Sequence, residues 1–155
     1  MYQFNFHSPH NIDEAIKIYN SCEEPKFLAG GMTLIASMKQ RLIAPSDLIN
    51  LRAINTLSEI KLSNNIITIG SLCSHHTIAN NDIIASKIIN MTKLANGIGD
   101  PAVRNMGTIG GSIANNDPAA DYPSACIALN AIIHTNNRKI DAENFFRGMF
   151  ETSLK

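Results

Sequence analysis

The chain has 155 residues, 45% of them hydrophobic, 17% charged and 6% aromatic, with no tryptophan. That composition is globular, sized for one domain or two small subdomains, and excludes a disordered or fibrous chain. Thirteen basic and thirteen acidic residues cancel to zero net charge, so no basic face recommends a nucleic-acid partner.

Gln3 to His7 alternate and end at Ser8-Pro9, the pattern of a short strand and a turn. Asn11 to Tyr19 reads as a helix, with Ile12, Ala15, Ile16 and Tyr19 on one face and Ser8 or Asn11 as its cap. After Pro25, residues Lys26 to Ala29 form a brief strand that runs into Gly30-Gly31. Leu34, Ile35, Met38 and Leu42 mark a second helix, and Asp47 to Leu51 a third strand. Strands alternating with helices favour parallel pairing.

Beyond about Arg52 the texture changes. Leu57 to Leu62 and Ile66 to Gly70 read as a hairpin about Ser63-Asn64-Asn65. Helical patterns follow over Thr77 to Asn80 and Asp82 to Ala95, then a glycine- and asparagine-rich stretch from Gly97 to Asp121. Tyr122 to Leu129 is helical in type, Ala131 to His134 and Arg138 to Ile140 form a strand pair, and Asp141 to Phe146 starts a short helix. The predicted fold is α+β: an α/β subdomain over 1–56, then a larger α+β subdomain over 57–155 with a mainly antiparallel sheet.

Cys22, Cys73 and Cys126 lie far apart and are odd in number, so they read as free thiols in a reducing compartment. An ordinary iron–sulfur cluster takes four thiolates, more than this chain supplies. The start, MYQFNFHSPH, lacks the features of a signal peptide. No run reaches the roughly 18 apolar residues of a membrane span, and the expected location is the cytoplasm.

Two Gly-Gly pairs carry the chemistry: Leu28-Ala29-Gly30-Gly31-Met32-Thr33, and Gly107-Thr108-Ile109-Gly110-Gly111-Ser112 followed by Ile113-Ala114-Asn115-Asn116-Asp117. A strand–Gly-Gly–helix junction aims backbone N–H groups from the positive end of a helix, the arrangement that binds phosphate. Neither loop is a P-loop or a G-x-G-x-x-G fingerprint. The generic reading therefore stays open between a nucleotide site and tight turns. Asp121, before Tyr122-Pro123, suits a helix N-cap. Arg104 is expected to tie its loop to a carboxylate such as Asp100. His75-His76 has no carboxylate or thiolate at helical spacing, so it reads as a helix start or packing pair rather than a metal site.

Two longer stretches, FLAGGMTLIASMK (27–39) and DPAVRNMGTIGGSIANNDPAADYPSA (100–125), resemble the paired signature of the FAD-binding medium subunit of molybdenum hydroxylases. The similarity is to the carbon monoxide dehydrogenase and xanthine dehydrogenase type. It extends over nearly the whole chain, to FFRGMFET at 145–152.

The resemblance implies the vanillyl-alcohol-oxidase-like FAD-binding fold. It also implies that Ala29, Gly30, Gly31, Met32 and Thr33 wrap the FAD pyrophosphate. Thr108, Ile109, Gly110, Gly111 and Ser112 would then wall the ribityl and flavin, Asn115 and Asp117 would line the same cleft, and Asp121 would bond a ribityl hydroxyl. The implied role is electron transfer: a molybdenum-cofactor subunit oxidises a substrate, a [2Fe-2S] subunit relays electrons to this FAD, and an external acceptor takes them. Members of the family continue into a further C-terminal subdomain over the isoalloxazine, so weak or absent flavin retention is expected of this chain alone. The alternative is a non-catalytic nucleotide-binding or assembly fragment of such a complex.

Overall fold

The computed structural model describes residues 1–154. Strand β1 (Asn5–His7) leads to helix α1 (Ile12–Ser21), where the Asn11 side chain accepts from the Glu14 amide at 2.8 Å. The Glu14 carboxylate reaches back to the His10 amide at 2.9 Å, so cap and third helical residue bond near-reciprocally. Ala15, Ile18 and Tyr19 pack on Ile49 and Ile54, whereas Ile12, expected on that face, is exposed.

Strand β2 (Pro25–Leu28), helix α2 (Met32–Lys39) and strand β3 (Asp47–Asn50) complete the first unit. Its sheet is parallel in the order β1-β3-β2, with Asn5 and Pro25 both opposite Asp47. The central strand is accordingly buried at Asp47, Leu48 and Ile49.

Two 3-10 turns, Leu51–Ala53 and Asn55–Ser58, follow. The expected strand from Leu57 is thereby shortened: β4 (Ile60–Ser63) pairs with β5 (Ile66–Ile69) through Asn64 and Asn65, both at positive φ. That is the backbone of a type I′ turn, which asparagine tolerates.

Helix α3 (His75–Ala79) starts two residues earlier than its periodicity predicts, because Ser74 caps it. The single helix expected over Asp82 to Ala95 is two, α4 (Asp82–Lys87) and α5 (Ile89–Gly97), broken at Ile88 with φ −139° and ψ 63°. The glycine-rich stretch contains α6 (Pro101–Met106) and α7 (Ile109–Asn115). Cys73, Ile78, Ile84, Met91, Ala95, Ile109 and Tyr122 form the core beneath these helices.

Helix α8 (Tyr122–Ala128) precedes β6 (Ile132–His134) and β7 (Lys139–Asp141), then come α9 (Ala142–Phe145), β8 (Phe146–Gly148) and β9 (Glu151–Thr152). The antiparallel part of the fold is three separate two-stranded ribbons among the described residues. No helix among them is long and apolar enough to cross a membrane.

Candidate functional site

The first Gly-Gly pair is a strand–helix junction. Gly31 stands at the N-cap of α2 with φ 79° and ψ 1°, a left-handed conformation that glycine adopts without steric cost. A glycine cap offers no side-chain acceptor. The amides of Gly31, Met32, Thr33 and Leu34 donate to nothing among the described residues; the first helical bond is Ile35 N–H to Gly31 C=O at 2.9 Å. A helix start with several unmet donors is a positively polarised anion cradle.

The second pair behaves differently. It lies inside the first turn of α7 rather than at a strand–helix junction, and its donors are satisfied internally. Ile109 N–H donates to Cys73 C=O at 3.0 Å, Gly110 N–H to Ser71 C=O at 2.8 Å, and Gly111 N–H to the Thr108 hydroxyl at 3.1 Å. Gly110 is needed there because a Cβ would lie 2.4 Å from Ser71 Cβ and 2.5 Å from its carbonyl oxygen. Gly110 is thus a packing device that seats α7 on residues 71–73, whereas Gly111 faces Thr108 and Ala29.

The two loops meet. A Cβ on Gly30 would lie 2.2 Å from Met106 C=O and 2.9 Å from Gly107 Cα. Arg52 ties the same junction, donating from Nε to Ala29 C=O at 3.3 Å and from Nη2 to Met106 Sδ at 3.5 Å.

Between the loops lies a cleft of about 680 Å³, within the roughly 300–1,000 Å³ of small-molecule sites. Of the predicted residues, Ala29, Gly30, Met32, Thr33, Thr108, Gly111, Ser112, Asn115 and Asp117 line it. Four do not. Gly31 sets the turn into α2, Ile109 is buried in the core, Gly110 faces Ser71, and Asp121 lies exposed at the start of α8. Asp121 occupies the N-cap position but its side chain caps nothing.

Lys26, Ser37, Val103 and His75 also line the cleft and were not foreseen as site residues. His75 is buried, its ring centroid 5.4 Å from that of Tyr122, and neither its Nδ1 nor the Tyr122 hydroxyl has a partner among the described residues. Burial lowers the imidazole's pKa below its ordinary value, and the Asp121 carboxylate opposes that shift. The sequence marked His75 as a helix start or packing residue, and it does open α3, directly after the Ser74 cap.

Arg104 departs from expectation. It donates to the carbonyls of Ile98 and Gly99 at 3.1 and 3.0 Å, while Asp100 caps α6 by accepting from Val103 N–H at 2.9 Å. All three cysteines are free; Cys73 and Cys126 are buried and Cys22 is half-buried.

The family of the FAD binding domain in molybdopterin dehydrogenase matches residues 2–155. The chain belongs to that family. It is 39% identical over 154 residues to the glyceraldehyde dehydrogenase medium chain of Sulfolobus acidocaldarius, covering 97% of this chain and 55% of the relative. It is 35% identical over 159 residues to the carbon monoxide dehydrogenase medium chain of Afipia carboxidovorans, covering 98% and 54%. A structure of carbon monoxide dehydrogenase from Hydrogenophaga pseudoflava, lacking the Mo-pyranopterin moiety of its cofactor, superposes with a TM-score of 0.95 at 33% identity, covering 99% of this chain and 55% of that one. The chain thus spans a little over half the length of these relatives.

The residues present fit FAD. The open amides at α2 suit a pyrophosphate, glycines bring backbone to the cleft wall, and Thr33, Ser112 and Asn115 supply polar groups along it.

Proposed function

We propose that this chain is the FAD-carrying part of a molybdenum-dependent oxidoreductase. Electrons pass from a [2Fe-2S] partner into its FAD and on to an external acceptor, while a molybdenum-cofactor partner oxidises the substrate. The observation that carries the reading is the row of unpaired amides from Gly31 to Leu34 at the start of α2, of which Met32, Thr33 and Leu34 line the cleft.

In this reading Ala29 to Thr33 hold the pyrophosphate by backbone donors. Gly31 adds its φ of 79°, which glycine adopts without steric cost and which turns the chain so that α2 begins at Met32. Thr108, Gly111 and Ser112, with Asn115 and Asp117, wall the ribityl and flavin. Ile109 and Gly110 support that wall from behind, and Asp121 bonds a ribityl hydroxyl only if its exposed carboxylate swings toward the cleft. Bound FAD supplies the electron-carrying chemistry; the protein positions it and keeps the α2 dipole on the phosphates. Three scattered free thiols support placing the iron–sulfur cluster, with its four ligands, in a separate chain. They also support a cytoplasmic location. Two separate core clusters support treating 1–56 and 57–155 as subdomains on either side of the cofactor.

Gly31→Asp tests the phosphate role. It sets a carboxylate beside the cradle, its Cβ meeting Ile35 and Leu28 side chains at 3.0 Å; since any side chain is strained at φ 79°, Gly31→Asn, with the same strain and no charge, is the control and should retain more affinity. Calorimetric titration with FAD should show binding lost with the circular dichroism spectrum unchanged. Equal affinity in the variant removes the phosphate from this loop.

A further inference from the structure

On the β1-β3-β2 sheet, three side chains from three elements converge apart from the cleft. His7 closes β1, Asp47 opens β3, and Cys22 follows α1 at its C-cap. One ligand atom from each, a ring nitrogen, a carboxylate oxygen and the sulfur, lies within 4.8 Å of the other two. His7 Nε2 is 2.7 Å from Asp47 Oδ1, and Asp47 Oδ2 accepts from the Ser46 hydroxyl at 2.7 Å. None of the three lines the FAD cleft.

We propose that His7, Cys22 and Asp47 form a binding site for a thiophilic divalent cation, zinc in the first place. Nitrogen, sulfur and oxygen donors in one cluster match zinc and its neighbours, whereas magnesium and calcium require oxygen ligands. Zinc bonds of about 2.0–2.3 Å in a tetrahedron place ligand atoms about 3.3–3.6 Å apart. The observed separations, 2.7 Å for the His7–Asp47 pair and 4.8 Å at most for any pair, bracket that spacing. Side-chain rotations suffice: the pair opens and the thiol closes, each by roughly 1 Å. Asp47 is 6% exposed and Ser46 fixes its second oxygen, the outer support that orients a ligand carboxylate. His7 and Cys22 are half-buried, which gives the ion an entry path. On binding, the Cys22 thiol releases its proton to solvent, His7 gives up the Nε2–H it donates to Asp47 and keeps its ring proton on Nδ1 so that the Nε2 lone pair meets the ion, and water takes the fourth position. The ion then clips the end of α1 to two of the sheet's strands.

The test is a titration of chelator-treated chain with zinc by calorimetry, and with cobalt(II) by absorption spectroscopy. The expected result is one ion per chain and a sulfur-to-cobalt charge-transfer band. Cys22→Ser should lose the band, and Cys22→Ser and His7→Gln should each weaken zinc affinity by more than about tenfold, since even outer-shell changes cost that much. Both variants should keep the native circular dichroism spectrum, because Gln can still bond Asp47. No saturable zinc binding, a cobalt complex without the thiolate band, or unchanged affinity in both variants overturns the site.

Discussion

Gly30→Ala tests the meeting of the two loops. The new methyl would sit 2.2 Å from Met106 C=O, so reaching an ordinary 3.4 Å contact requires the loops to part by about 1.2 Å. Neither side yields easily. Ala29 is tied to Arg52 at 3.3 Å, and Gly107 donates to Val103 C=O at 2.7 Å while accepting from His75 N–H at 3.1 Å. Overpacking of this kind costs about 1–3 kcal/mol, occasionally more. With a urea slope of roughly 1–3 kcal/mol/M for a small protein, the unfolding midpoint should fall by about 1 M. FAD binding should weaken as well, since Ala29 and Thr108, one from each loop, both line the cleft. The control is Gly97→Ala, where a Cβ would meet nothing within 4 Å at the last residue of α5. That change should be neutral or stabilise by about 0.5–1 kcal/mol. A Gly30→Ala midpoint equal to that of wild type refutes the packing of the loops.

Thr108→Ala removes the acceptor for Gly111 N–H and the cap of α7, and should cost about 1 kcal/mol in urea unfolding, with Thr108→Ser close to wild type. Asn116 holds the last hairpin, donating to the carbonyls of Gly148 and Glu151 at 2.8 and 2.9 Å from a backbone at φ 45°. Asn116→Ala should destabilise by about 2–4 kcal/mol by orphaning two acceptors and forcing alanine into the left-handed region; a loss below about 0.5 kcal/mol counts against the clasp. His75 carries a pH dependence. Burial lowers its pKa beneath 6.5, so the unfolded chain takes up the proton first and stability, full above about pH 6.5, declines as pH falls toward the folded-state value. Urea midpoints measured from about pH 7.5 down to 5 should show a shallower decline in His75→Gln than in wild type; identical slopes dismiss the assignment.

What was legible in the sequence depended on range. The first loop declared itself because a strand, two glycines and a helix are contiguous from Lys26 to Lys39. In the second loop the two glycines divide the work, because glycine looks alike whether its missing Cβ opens onto a cleft, as at Gly111, or admits a backbone, as at Gly110. Gly110 answers to Ser71 and Gly30 to Met106, contacts that local sequence does not mark. The Asn64-Asn65 hairpin was readable from its turn residues, yet the break at Ile88 sits in an unbroken apolar pattern of isoleucines with no proline or glycine. Leu57 alternates as a strand residue does, but the preceding 3-10 turn claims it. Arg104 was assigned to a nearby carboxylate, and tertiary folding offered it two carbonyls first. His75 reaches the cleft through the seating of α3 on the second loop, its N–H donating to Gly107 C=O at 3.1 Å.

The central claim, that the open start of α2 takes the FAD pyrophosphate, is met most directly by amide chemical shifts in a 15N-labelled chain titrated with FAD. Weak binding suffices for this measurement. The account predicts saturable shifts greatest at the amides of Gly31, Met32, Thr33 and Leu34, with smaller ones at Gly110 and Gly111, whose donors are already engaged. Shifts confined to residues 107–112, or none at saturating FAD, would contradict it.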